Sequence, residues 1–185
     1  MSKTLNQDFK LPLIDCDVLA RRVVEVGKPA YNKIVKEFGT GILDPVTGEI
    51  NRKALGEMVF KNEPLRKKLT RITGFYIMIE IIKDLYNEIR KGHNVIVLDA
   101  PLLFESVYLP YICYPTMVIY VTEHTLQLKR IMDRDGLTLD EAEARIKSQM
   151  PIGRKLQLAD VKISNDDDLI TLKNKVLNEL GKFIL

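Results

Sequence analysis

The sequence predicts an α/β protein: a parallel sheet with helices on both faces, interrupted by a block of helices. Three observations predict it. The apolar runs rich in β-branched residues are continuous rather than alternating, as in strands buried on both faces. Those runs are separated by stretches whose apolar residues recur at helical spacing. The segment from about 28 to 91 is helical in pattern throughout, with no strand inside it. A chain of 185 residues suits one domain built on one core.

The elements follow in order. Lys10-Leu-Pro-Leu-Ile-Asp15 is a short apolar run ending in an acid and reads as a buried strand. Asp17 is placed to cap a helix over 18–26, stopped by Gly27. Pro29 opens a second helix, with Ile34, Val35 and Phe38 on one face and Gly39 after it. Asp44-Pro-Val-Thr-Gly48 is turn chemistry. Asn51 caps a helix in which Leu55, Met58 and Val59 recur, and Asn62 and Pro64 start the next. A long helix covers 75–91 through Met78, Ile81, Ile82, Leu85 and Ile89, stopping at Gly92. The pattern changes at Asn94: Val95-Ile-Val-Leu98 and Met117-Val-Ile-Tyr-Val121 read as strands, with Val161-Lys-Ile163 a weaker third. Thr138-Leu-Asp-Glu141 is a capping box for a helix through Met150. Leu169, Leu172, Val176 and Leu180 mark a final amphipathic helix.

Composition narrows the function. The net charge of +3 is too small to point to nucleic acid. Two cysteines exclude a disulfide framework and a four-cysteine metal site, and two histidines argue against a multi-histidine centre, so no metal site is expected. Residues 1–10 are polar and lack the apolar core of a secretory signal. The most apolar stretch, 107–121, is broken by Pro110 and Pro115 and is too short for a membrane span. The expected compartment is the cytoplasm or an organelle. No feature sets an oligomeric state.

Ligands of open parallel sheets bind beyond the carboxyl ends of strands. Two such ends carry acids here, Ile14-Asp15-Cys16-Asp17 and Leu98-Asp99-Ala-Pro-Leu-Leu-Phe-Glu105. Acids so placed accept a substrate proton or hold Mg²⁺, and they equally cap helices. Arg130 and Arg134 share a helix face, and Arg145, Lys147, Arg154 and Lys155 follow on the capped helix and the turn after it. Forked guanidiniums suit a polyphosphate. The other reading is a solvated basic face paired with Asp133, Glu141 and Glu143. No G-x-x-x-x-G-K-[ST] loop occurs anywhere in the 185 residues. Cys16, flanked by two acids, and Cys113 read as packing residues.

Taken together, several segments resemble dephospho-coenzyme A kinases in order and spacing. They are Ile14-Asp-Cys-Asp17-Val-Leu-Ala-Arg21, Val24-Glu-Val-Gly27-Lys-Pro-Ala-Tyr31, Ile50-Asn-Arg-Lys-Ala-Leu-Gly56 and Leu98-Asp-Ala-Pro-Leu-Leu-Phe-Glu105, then Thr125-Leu-Gln-Leu-Lys-Arg130, Arg134-Asp-Gly136 and Ala144-Arg-Ile-Lys-Ser-Gln-Met-Pro151. The resemblance runs from about 13 to 165. It implies the P-loop nucleoside monophosphate kinase fold, and transfer of the γ-phosphoryl of ATP, with Mg²⁺, to the ribose 3′-hydroxyl of dephospho-CoA. It implies Asp17 as the acid that orients and deprotonates that hydroxyl. Asp15, Arg21, Phe104 and Glu105 fall on the substrate side, Arg134, Arg145 and Lys155 on the ATP lid, and Asn165 on the adenine side. It divides a single domain into a core of about 11–27, 92–133 and 156–185, a helical substrate-side insertion of about 28–91 and a lid of about 134–155.

Three differences from the family stand out. Its members place an apolar strand, a Gly-rich Walker A loop and a helix ahead of the Asp-x-Asp strand, where this sequence has about ten polar residues. Thr73-Gly74-Phe75 replaces Thr-His-Pro, and Ile163-Ser-Asn-Asp-Asp167 replaces Ile-Asp-Asn-x-Gly. The basic pair after the lid is Lys155-Leu156. The first central strand is therefore expected to be missing. That leaves residues 95–98 and 117–121 about two strand spacings, ~9–10 Å, apart unless the sheet closes or another segment fills the slot. Activity is expected to be impaired. The alternative is a non-catalytic relative or splice form that binds a CoA-like or nucleotide ligand or a protein partner.

Overall fold

The structure, a computed structural model, describes residue 6, residues 10–60 and residues 62–184. The chain divides into two compact units, Ser2–Ala100 and Pro101–Leu185. The polar start, residues 1–10, lies outside the described residues apart from Asn6 and Lys10.

In the first unit β1 (Leu13–Asp15) runs parallel to β2 (Val97–Asp99), with Ile14 opposite Leu98 and Asp15 opposite Asp99. The second strand thus starts two residues later than the sequence suggests, with Val95 and Ile96 leading in. Helix α1 spans Cys16–Arg22 rather than 18–26. The reason is its cap. Asp15 keeps the extended backbone of the strand, and its carboxylate accepts from the amides of Asp17 (2.9 Å) and Val18 (3.1 Å). Asp15, not Asp17, is the cap.

The helical block follows as α2 (Pro29–Phe38), a 3-10 turn (Thr40–Ile42), α3 (Arg52–Phe60) and α4 (Glu63–Arg90). Gly39, at φ 80°, ends α2 in a conformation that L side chains rarely adopt. Asp44 accepts from the amides of Val46 and Thr47, and a Leu43–Ile50 bridge closes that turn. Ile34, Phe38, Ile42, Leu55 and Ile72 form the core of the block. The sequence suggests separate helices before and after Gly74, yet α4 is continuous. A mid-helix glycine costs only about 1 kcal/mol, and each buried isoleucine contributes about 1.5–3 kcal/mol, so Ile72 and Ile81 on either side hold the helix through it.

The second unit holds α5 (Leu109–Ile112), β3 (Met117–Tyr120), α6 (His124–Asp135), α7 (Leu139–Lys147), α8 (Ile152–Leu158), β4 (Val161–Ser164) and α9 (Leu169–Ile184). β3 and β4 pair in parallel, Met117 opposite Val161 and Tyr120 opposite Ser164. Val118, Val161 and Ile163 are buried, α9 packs on β4 and α8 on β3. Along α9 Leu172 and Val176 are buried, whereas Leu169 is exposed.

Two Thr–Asp clasps bracket this strand pair. Asp160 accepts from the amide and hydroxyl of Thr116, both at 2.7 Å, and donates its own amide back to Thr116 Oγ1. Asp166 accepts from the amide and hydroxyl of Thr122 at 2.8 and 2.7 Å.

The capping box forms as expected, Thr138 with Glu141. The helix it starts ends at Lys147 rather than Met150, and Pro151 begins a separate α8. Arg154 and Lys155 therefore stand on a helix and not on a turn. The described strands form two parallel pairs, β1–β2 and β3–β4.

Candidate functional site

The strand-end acids come first. The β1–β2 register sets Asp15 beside Asp99 at the carboxyl ends of both strands. Asp15 is committed to the cap of α1. Asp17, in the first turn, is exposed, and its carboxylate has no partner among the described residues. Arg21, one turn further on, is exposed and likewise unpaired. The neighbouring Arg22 does the structural work that sequence reading missed. Its Nη2 donates to Glu80 Oε2 (2.9 Å) and Asp84 Oδ2 (3.0 Å), tying α1 to α4. The Lys83 ammonium, with Arg22 behind it, holds the Glu80 carboxyl below its usual range. The i,i+4 pair Glu80 and Asp84 was the available signal, but nothing in one strand-end motif connects it to a helix sixty residues on.

In the second unit the chain after β2 meets α8. Lys155 is 9% exposed. Its ammonium lies 3.0 Å from Glu105 Oε1 and reaches Gln149 Oε1 (3.3 Å) and the Pro101 carbonyl (3.4 Å). Glu105 also accepts from the Met150 amide at 2.9 Å. Burial raises the Glu105 carboxyl, but the Met150 amide and Lys155 together outweigh it and hold the group low. Glu105 and Lys155, assigned by resemblance to the substrate side and the lid, are thus each other's partners. Phe104 beside them is half-buried.

The two arginines assigned by resemblance to a lid converge. Arg134, at the end of α6, grips Asp135 with Nε and Nη2, both at 2.8 Å. Arg145, on α7, reaches the same Asp135 through Nη1 at 2.8 Å. The expected partners Asp133, Glu141 and Glu143 are not used by these two: Glu141 serves the capping box and Glu143 pairs with Lys147. Asp135 was missed, although it stands inside Arg134-Asp-Gly136. Arg134 chiefly, and Arg145 as well, hold its carboxyl below the usual range.

Asn165, assigned by resemblance to the adenine side, is half-buried just beyond β4, its amide donating to the Tyr120 carbonyl at 2.7 Å. Arg130 holds this loop by donating to the carbonyls of Asn165 and Asp167. Arg130 is a loop clamp and does not share a task with Arg134. Among the described residues no cluster of three or more His, Cys, Asp or Glu is set to hold a resident metal. None of the described helices is long and apolar enough to cross a membrane.

The family model described as dephospho-CoA kinase matches residues 1–171. The chain belongs to the dephospho-CoA kinase family. Relatives carrying that name include one from Bacillus anthracis, 42% identical over 183 residues that span 97% of this chain and 90% of the relative. Another, from Halalkalibacterium halodurans, is 40% identical over 96% of this chain and 87% of its own. Among solved structures, the dephospho-CoA kinase of Campylobacter jejuni superposes with a TM-score of 0.70 at 30% identity, covering 98% of this chain and 90% of that one. A Thermus thermophilus crystal structure superposes with a TM-score of 0.75 at 25% identity, covering 97% and 88%. The family's kinase role in coenzyme A synthesis and its mixed α/β fold with parallel strands are therefore those of this chain.

Proposed function

We propose that the chain takes the ribose 3′-hydroxyl of dephospho-CoA as acceptor and the γ-phosphoryl of ATP, which brings Mg²⁺ with it, as donor. The observation that carries this reading is Asp17. Its carboxylate is exposed and engaged by no other side chain among the described residues, on the first turn after a strand end whose other acid is used in the cap. A carboxylate so placed orients a hydroxyl and accepts its proton as the oxygen attacks phosphorus and the bond to ADP breaks. Arg21 and Asp15 belong to the substrate side, Asp15 by fixing where Asp17 stands. Phe104 and Glu105 extend that side, and residues 28–91 form its helical part. Arg134 and Arg145 neutralise phosphate charge within the lid, about 134–155. Lys155 holds the end of the lid to Glu105, and Asn165 faces adenine.

These 185 residues contain no G-x-x-x-x-G-K-[ST] loop. A polypeptide of this sequence is therefore expected to bind MgATP more weakly than micromolar and to turn over little. Titration calorimetry with MgATP and a coupled ADP assay test this. Micromolar affinity or ordinary turnover refutes the impairment. Thermal stabilisation by dephospho-CoA with no ADP release favours a second reading, a non-catalytic binding relative. In a version carrying a Walker A loop, Asp17→Asn is expected to cut turnover about a hundredfold or more, with MgATP affinity unchanged. Unchanged turnover removes Asp17 from the base role.

A further inference from the structure

We infer that Asp135 is a built-in stand-in for phosphate, an internal anion that occupies the forked edges of Arg134 and Arg145 and must give them up when the lid takes a nucleotide. The inference rests on the lid reading above and names the group that regulates it. Three hydrogen bonds of 2.8 Å meet one carboxylate: two from Arg134 in side-on, bidentate form, and one from Arg145, which stands on the next helix. Bidentate pairing is also how guanidinium holds a phosphate oxygen pair, so the two anions compete for the same donors.

The competition is a close one. The arginine side chains are 67% and 51% exposed, so each contact to Asp135 is a weak surface pair that solvent screens. Arg134 Nη1 and Arg145 Nε and Nη2 make no hydrogen bond among the described residues. An incoming triphosphate thus has donors to meet before Asp135 lets go, and the exchange proceeds by attachment first. Asp135 itself is anchored by position. It closes α6 just before Gly136, which takes the left-handed conformation (φ 66°), and its side chain is only 23% exposed. It therefore remains beside the arginines after the exchange, a like charge next to the bound phosphates that favours their release.

The test is MgATP affinity of the 185-residue protein, by calorimetry to millimolar ligand. Asp135→Asn is expected to tighten binding about fivefold, the size of two surface ion-pair contacts. Glu143→Gln removes the same charge nearby from a pair with Lys147 that neither Arg134 nor Arg145 shares, and is expected to stay within about twofold. Asp135→Ser, matched to wild type in thermal midpoint, guards against a folding artefact and is expected to behave as Asp135→Asn. Equal or weaker binding by Asp135→Asn, or equal tightening by Glu143→Gln, overturns the inference. The double variant Arg134→Gln/Arg145→Gln separates the two ideas. If it weakens MgATP binding, the lid reading stands whatever Asp135 does. If it leaves binding unchanged, or if wild type binds no MgATP at all, the lid reading fails and this inference fails with it.

Discussion

Lys155 keeps 9% of its surface exposed while its ammonium faces three oxygens, from Glu105, Gln149 and Pro101. Replacing it with methionine keeps the stem but strips Glu105 of its cation and leaves the other two acceptors unmet. Lys155→Met is expected to cost about 1–3 kcal/mol in urea unfolding. Combined with Glu105→Gln the losses should fall short of additive by about 1 kcal/mol, and additive losses would show that the pair is not coupled. Both residues stood out in the sequence, but in different roles. Their pairing across fifty positions leaves no trace in spacing or periodicity. The same limit explains the cap. Asp15 and Asp17 both suit the pattern, and only the end of β1, which fixes where extended backbone stops, decides that Asp15 caps and Asp17 stays open.

At the level of elements, local chemistry was the most legible part. The Thr138–Glu141 box, the Pro29 start and Gly39 stop of α2, and the Asn62 cap with Pro64 all appear where residue types alone place them. The expected helix start at 75 falls inside α4, with Gly74 in its middle. Inside α4 it is exposed, and an added Cβ meets nothing within 4 Å. Gly74→Ala is therefore expected to stabilise by about 0.5–1 kcal/mol, seen as a higher thermal midpoint. Gly39 has equally open surroundings but a φ of +80°. Gly39→Ala is expected to destabilise by about 1 kcal/mol, opposite in sign, because the backbone rather than space forbids the side chain. Matching signs for the two variants would contradict this account.

For the molecule as a whole, the α/β class and the helical block were visible in the switch of apolar pattern at Asn94, whereas the grouping of strands into two pairs was not. Pairing depends on hydrogen-bond partners far apart in the chain, and apolar runs do not say which neighbour each strand takes. The whole-chain consequence that can be measured is acid sensitivity. The Thr116 amide and hydroxyl hold the Asp160 carboxyl below its ordinary 3.8, and the Thr122 hydroxyl and amide do the same for Asp166. Groups with depressed folded values contribute stability that is complete above their unfolded value, about 4, and lost as pH falls through the folded one. The thermal midpoint is expected to fall below about pH 4, and Asp160→Asn/Asp166→Asn should flatten that fall. An identical acid slope in the double variant would rule the clasps out. Those clasps also set what the intervening chain is free to do. Residues 123–159 leave and return at posts nailed to the same two strands. Arg130 and the packing of α8 on β3 tie down both ends of that stretch, so the part open to a graft of different length or charge is the span between them, about 136–148, with the rails beneath keeping their alignment.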